Sequence, residues 1–322
     1  MKAIKISNYG DANVLSFTKE EPRPQPTSTQ ALIKIQAAGV NFVDIYQRRG
    51  AYPVQLPFIP GLEGAGVVEA IGEQVTNVKP GDRVAYTGHI GSYSEYTAVE
   101  AGKLIPLPNE MSFDLGAAFP LQGMTAHYLI HDFRMPKLGD TVLIHAAAGG
   151  VGLILVQWVK HLGAQVIGTV STEEKARVCR EAGADHVILY TKQDFVRETK
   201  RLTDGQGAQL ILDGVGKSTF AGNLEAVSLR GHVIIFGSAS GLADPFVPNS
   251  LMTKSITVSG GSLQNFIASR DDLLHRSSEV LNAIKHGWLK LKIYRVIPIN
   301  EAARAHQYLE SRQSIGKVIL EV

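Results

Sequence analysis

The sequence predicts an α/β protein of two domains, with a six-stranded parallel sheet and its helices inserted into a β-rich domain. Three observations predict it. The chain has 322 residues, more than one hydrophobic core organises. Up to about residue 121 it reads as short alternating runs broken by proline and glycine, and from there to residue 261 as strand, helix, strand, helix. After Gly261 come two helical stretches and a short terminal strand, too little for a domain, so this tail is expected to return to the first one. The implied boundaries are residues 1–122 and 264–322 for the β-rich domain and 123–263 for the inserted one.

In the first domain, the runs 31–35, 66–72 and 83–86 alternate as half-buried strands do, and Pro60-Gly61 and Pro80-Gly81-Asp82 supply turns between them. In the second, strands are expected at 141–146, 165–170, 186–190, 209–212, 232–236 and 255–258, with helices at 151–162 and 173–182. Helices are expected again at 271–286 and 301–311, before a last strand at 317–322.

Composition narrows the function classes. Apolar residues make up 44% and charged residues 19%, a folded composition without bulk disorder. The formal charge of +2 is spread without a basic block, which gives nucleic acid or anionic membrane binding no support. The single cysteine, Cys179, excludes an intrachain disulfide and any multi-cysteine zinc site. Without a signal-like N-terminus or a membrane-length apolar run, a soluble cytoplasmic protein is expected.

One turn carries the first chemical assignment. The apolar strand Val142-Leu143-Ile144 runs into Ala147-Ala148-Gly149-Gly150-Val151-Gly152, and a helix follows at once. A small residue at 147 permits the tight turn, Gly149 lets backbone N–H groups approach a pyrophosphate, and Gly152 lets the helix pack on the strand. This is the dinucleotide turn of a Rossmann domain. About twenty residues on, where an NAD-binding chain carries Asp or Glu, stands Ser171, with Lys175 one helical turn later. A neutral residue beside a cation suits a 2′-phosphate, so NADPH is the expected cofactor. The alternative is that Ser171 caps the next helix, with Glu174 completing a capping box. Gly214, after the fourth strand, and Phe236-Gly237-Ser238, at the end of the fifth, lie where open α/β sheets bind ligands and are expected to touch the nicotinamide half.

The chain resembles the zinc-free quinone oxidoreductases, the zeta-crystallin group of the medium-chain dehydrogenases/reductases. The resemblance runs along the whole chain, through Ala38-Gly39-Val40-Asn41-Phe42-Val43-Asp44, Pro60-Gly61-Leu62-Glu63-Gly64-Ala65-Gly66, Lys79-Pro80-Gly81-Asp82-Arg83-Val84, the glycine turn and Gly316-Lys317-Val318-Ile319-Leu320. It implies a GroES-like catalytic domain around the Rossmann domain, and a homodimer formed at the sheet edge near 255–258. Zinc-dependent relatives carry a cysteine in the first of these motifs and a histidine where Leu62 stands, so no metal is expected. The resemblance further implies that Asn41 and Tyr46 line the nicotinamide cleft, with Asn41 free to donate a hydrogen bond, and that Ser171, Lys175, Tyr190 and Arg312 surround the 2′-phosphate. Tyr52 matches the proton donor of related enoyl-thioester reductases, or else packs as a loop aromatic on Pro53. His127 and His131 have metal-ligand spacing but are expected to be a structural pair, and His145 a buried, hydrogen-bonded side chain.

The expected activity is therefore reduction of quinones by hydride transfer from NADPH. Reduction of enones or enoyl-thioesters is a second reading. An NADPH-binding protein of low catalytic activity, crystallin-like or RNA-binding, is a third.

Overall fold

The computed structural model describes residues 1–322. The chain divides into a first unit, Met1–Leu121 with Ile267–Ser277 and Leu291–Val322, and a second, Gln122–Phe266 with Ser278–Lys290. The expectation had placed 264–322 in the first domain as one piece. Residues 278–290 group instead with the second unit, where the Trp288 ring stacks on His161 at 4.0 Å and meets Trp158 edge-on at 5.2 Å. Lys290 N also donates to Gln157 Oε1 at 2.8 Å.

In the second unit, six parallel strands lie in the order His186–Leu189, Gln165–Val170, Thr141–Ile144, Ala208–Asp213, Val227–Ile235, Thr257–Gly260. Central strands covered on both faces must be apolar throughout. Thr141–Ile144 accordingly has every residue buried, and Leu143, Ile167, Ile188, Ile211 and Val233 share one core. The strand order reverses between Thr141–Ile144 and Ala208–Asp213, so the loops leaving these two strands flank the crevice where such sheets bind ligands. The last strand starts two residues later than expected, because Ser255 takes a left-handed φ of +53° and is not extended.

The first unit is built on the long strand Gln30–Val40. It pairs antiparallel with Glu63–Ile71 and with Tyr96–Glu100, and its C-terminal end pairs with the last strand of the chain, Lys317–Glu321. Lys317–Glu321 in turn lies parallel to Ile293–Pro298, with the helix Ala302–Glu310 as the crossover. Ile4, Ile6, Val40, Ile45, Phe58, Val318 and Leu320 form the core beneath. No helix is long and apolar enough to cross a membrane.

Candidate functional site

The glycine turn is built as its residues require. Ala146, two residues past the end of the strand Thr141–Ile144, takes a left-handed φ of +50°, and its carbonyl accepts Gly149 N at 2.8 Å. Gly149 is the N-cap of the helix Gly150–His161. A Cβ on Gly152 would lie 2.4 Å from the Ala146 oxygen and 2.8 Å from Ala147, so only glycine lets the helix approach the strand this closely. A Cβ on Gly149 would meet nothing but the Ala146 oxygen, at 3.1 Å. Gly150 is different in kind: its missing Cβ leaves room for the Gln122 amide group. The buried Ala147, with Val151 in the helix's first turn, completes the turn.

Strand register brings Ser171 and Tyr190 to one corner, and Lys175 lies in the first turn of the helix that follows Ser171. Leu189 pairs with Val170, so both strands end together, and Tyr190 N donates to Val170 O at 3.1 Å. Thr191 Oγ1 donates to Ser171 O at 3.0 Å. Ser171 and Lys175 are half-buried, and Tyr190 is exposed. Ser171 is not the helix cap: that is Thr172, whose hydroxyl accepts Lys175 N at 3.3 Å. The capping-box alternative is thereby removed, and the Ser171 side chain has no helix-capping role. Arg312 belongs to the first unit, exposed just after the helix Ala302–Glu310 with φ +57°.

Two loops at the carboxyl ends of the fourth and fifth strands are knitted together. Asp213 Oδ1 accepts Val215 N at 2.7 Å and Gly216 N at 3.1 Å, while Oδ2 accepts Thr219 Oγ1 at 2.8 Å and Asn223 Nδ2 at 2.7 Å. Phe236 N donates to Asp213 O at 2.9 Å, and Cβ atoms on Gly214 and Gly237 would meet the Phe236 ring at 2.9 Å and the Gly214 oxygen at 2.8 Å. Ser238 leads into the bend closed by Gly241 N on Ser238 O at 2.9 Å. His145 reaches this network from just past the strand Thr141–Ile144, with Nε2 2.7 Å from Asn223 Oδ1 and Nδ1 3.0 Å from Thr169 Oγ1. Because Asn223 spends its amide on Asp213, its oxygen must accept, which fixes His145 as the Nε2–H tautomer. Burial keeps that ring neutral by lowering its pKa.

In the first unit, Asn41 is buried at the start of the helix Phe42–Arg48. Its Nδ2 donates to Glu63 Oε2 at 2.9 Å and to Gly39 O at 3.3 Å, and its Oδ1 accepts Lys317 Nζ at 2.8 Å. Both amide protons are spent, so the side chain is not the free donor expected. Tyr46, one turn along the helix, packs edge-on to Tyr52 with ring centroids 5.2 Å apart. Tyr52 is 49% exposed.

Asp44 lies beneath them, fully buried. Its Oδ2 accepts Asn41 N at 2.8 Å and Tyr93 Oη at 3.0 Å. Tyr93 Oη is also 3.2 Å from His306 Nε2, and Arg48 Nη1 donates to His306 Nδ1 at 3.2 Å. Desolvation raises the Asp44 carboxyl to about 7, the neighbouring hydrogen bonds and Lys317 pulling the other way. Desolvation, aided by the Arg48 charge, pushes His306 down to about 3. Neither Glu63 and Lys317 nor this chain of groups was singled out from the sequence. Apart from the Asp44 contact to Asn41 N, they are joined to their partners across tens to hundreds of residues, and a local signal is an ionisable side chain opening the otherwise apolar run Val318-Ile319-Leu320.

The His127 and His131 rings stack at 4.5 Å, and each meets Trp158 edge-on. No three His, Cys, Asp or Glu side chains converge so as to hold a metal ion.

Two family models match the chain: an alcohol dehydrogenase GroES-like domain over residues 27–109 and a zinc-binding dehydrogenase over residues 150–279. The chain is 39% identical over 322 residues to the quinone oxidoreductase of Pseudomonas aeruginosa, covering 99% of each. It is 40% identical over 315 residues to the 2-haloacrylate reductase of a Burkholderia species, covering 95% of each. The crystal structure of Escherichia coli quinone oxidoreductase complexed with NADPH superimposes with a TM-score of 0.96 at 37% identity, covering 100% of each chain.

Proposed function

The chain belongs to the quinone oxidoreductase family of the medium-chain dehydrogenases/reductases, and from that premise we propose that it reduces quinones with NADPH, without zinc. The observation that carries the reading is that Ser171, with Lys175 in the helix turn after it, and Tyr190 follow the ends of two paired strands one strand away from the glycine turn, and no carboxylate stands at the strand end. A 2′-phosphate fits a hydroxyl and an ammonium there, and the exposed Tyr190 ring offers a face to adenine. The helix Gly150–His161 directs its N-terminal N–H groups and dipole at the pyrophosphate. For Arg312, in the other unit, the family match is the only support.

When bound, NADPH supplies a hydride, which with one proton from solvent or a side chain converts a quinone to its hydroquinone. The protein's part is orientation, exclusion of water and hydrogen bonding to the oxygen that gains charge. The loops at Gly214 and at Phe236, Gly237 and Ser238, tied by the hydrogen bonds of Asp213, would hold the nicotinamide half. Tyr46 and Tyr52 supply hydroxyl donors.

The description of the second family model names zinc, and the donor set here does not fit it. Leu62 offers no ligand beside Glu63, and Glu63 is engaged by Lys317 and Asn41. Cys179 is buried within the helix Glu173–Glu181, and burial pushes its thiol up to about 12. We also propose a homodimer joined through the edge strand Thr257–Gly260; light scattering tests it.

The 2-haloacrylate reductase relative favours a second reading, reduction of an activated carbon–carbon double bond with Tyr52 as proton donor. NADPH oxidation measured against panels of quinones, enones and enoyl-thioesters decides between them. Turnover of quinones that survives Tyr52→Phe is expected. Turnover of enones alone, abolished by Tyr52→Phe, would overturn the quinone reading, and tight NADPH binding with no acceptor reduced would leave a binding protein.

A further inference from the structure

The register of the last strand carries a cation into the interior of the first unit. Lys317–Glu321 pairs antiparallel with Gln30–Val40, with Val318 opposite Val40 and Ile319 opposite Gly39, so Lys317 falls beside Asn41. The side chains of Lys317 and Glu63 are 2% and 0% exposed. The ammonium donates to Glu63 Oε2 and to Asn41 Oδ1, while Asn41 Nδ2 donates back to the same Glu63 oxygen. Glu63 Oε1 accepts Leu121 N at 2.6 Å. A Cβ on Gly39 would lie 2.4 Å from Glu63 Oε2 and 2.8 Å from Lys317 Cε, so the pair fills room that only glycine leaves.

A lysine ammonium can only donate and an ionised carboxylate can only accept. Set on opposite ends of the Asn41 carboxamide, they force its oxygen toward Lys317 and its nitrogen toward Glu63. Rotating the amide by a half-turn would oppose donor to donor and acceptor to acceptor. The two amide protons are already used, so one lone pair on Oδ1 is the only hydrogen-bonding capacity left. Stability alone is a poor reason for such a pair, because an apolar pair of similar volume commonly serves as well.

We propose that Lys317 is a positioning residue for hydride transfer: with Glu63 it locks the Asn41 carboxamide so that Asn41 meets cofactor or substrate as a hydrogen-bond acceptor and never as a donor. The proposal rests on the reading that places Asn41 at the nicotinamide. It follows that the substrate oxygen gaining negative charge takes its donor from a group other than Asn41, and that Asn41 receives an N–H or O–H.

The test is a cycle of variants assayed for NADPH oxidation with a quinone that the wild-type enzyme reduces. Lys317→Met alone strands a buried carboxylate and is expected to lower the melting temperature. The pair Lys317→Met/Glu63→Gln carries no buried charge and keeps an acceptor for Leu121 N, so it is expected to melt near the wild type. Its kcat is expected to fall by about tenfold to a hundredfold, the range for a misplaced group, with KM for NADPH little changed. Adding Asn41→Ala to that pair is expected to cost nothing more, since Lys317 acts through Asn41, whereas a merely structural role gives additive losses. Lys317→Arg is expected to retain more activity than Lys317→Met. A folded double variant with wild-type kcat would overturn the proposal while leaving the Asn41 assignment standing. Wild-type kcat in Asn41→Ala alone would overturn that assignment and the proposal with it. A wild-type enzyme that reduces no quinone but turns over another acceptor would overturn only the quinone reading.

Discussion

The two units hold their candidate site residues by opposite means. In the parallel-sheet unit the work is done by backbone: a glycine turn, a helix N-terminus and loops pinned by the neutral contacts of His145, Asn223 and Thr219 around one carboxylate, Asp213. In the β-rich unit it is done by buried side chains, mostly ionisable: Glu63 and Lys317 around the Asn41 carboxamide, and the chain from Asp44 through Tyr93 and His306 to Arg48. Backbone N–H groups suit a ligand whose charge is fixed, as a pyrophosphate's is. Buried side chains suit a reaction in which charge moves, because a low-dielectric setting makes each orientation count.

The largest effect should come from breaking the backbone device. Gly152→Val sets a branched side chain against the Ala146 carbonyl and the Ala147 backbone, neither of which can yield. Loss of measurable NADPH binding is expected by fluorescence titration, with a lower melting temperature. Gly150→Ala, two residues away, displaces only the end of the Gln122 side chain and is expected to bind within a few-fold of the wild type.

The charged device is probed by pH. Asp44, raised from 3.8 to about 7, binds a proton in the folded state that the unfolded chain releases, so its contribution to stability is lost as pH rises from 3.8 through 7. His306, lowered from 6.5 to about 3, does the reverse: it stabilises above 6.5 and loses that contribution as pH falls toward 3. Between pH 3.8 and 6.5 the two slopes oppose, and denaturant unfolding of the wild type should change little. Asp44→Asn removes one of them, and its stability should then climb by roughly 3 kcal/mol over that window. A flat profile in the variant would mean that the two groups do not titrate as their burial implies.

A smaller loss is expected from Asn223→Ala, which leaves His145 Nε2–H and one Asp213 oxygen short of a partner, at about 1–3 kcal/mol by denaturant unfolding. An equal loss from Asn223→Asp, which keeps an acceptor for His145 but adds a charge beside Asp213, would show that the contact to Asp213 matters more. Smallest is Lys175→Ala, expected to weaken NADPH by about tenfold, the usual scale for one charge-assisted contact, and NADH hardly at all. Equal weakening of both would place Lys175 away from the 2′-phosphate.

The same contrast explains how much could be read in advance. The six parallel strands, the turn at 147–152 and the buried His145 follow from local spacing, because backbone devices are written in consecutive residues. Adjacent choices are harder: the cap that Ser171 offers as an alternative role belongs to Thr172, since both residues have the hydroxyl a cap needs. The β-rich unit hid its site. Asn41 can be singled out as a candidate from its motif, but that its amide protons are engaged cannot be read there, because Glu63 and Lys317 lie 22 and 276 residues away and only strand register brings them to it. A lysine after a glycine near a chain end reads as a solvated residue until the opposing strand is known.

The central claim, zinc-independent hydride transfer from NADPH to a quinone, is tested most directly by NADPH oxidation with a simple benzoquinone after exhaustive chelation, with the metal content of the same sample measured. Full activity in metal-free protein is predicted. Activity lost on chelation and restored by added zinc, or no quinone-dependent oxidation at all, would contradict it.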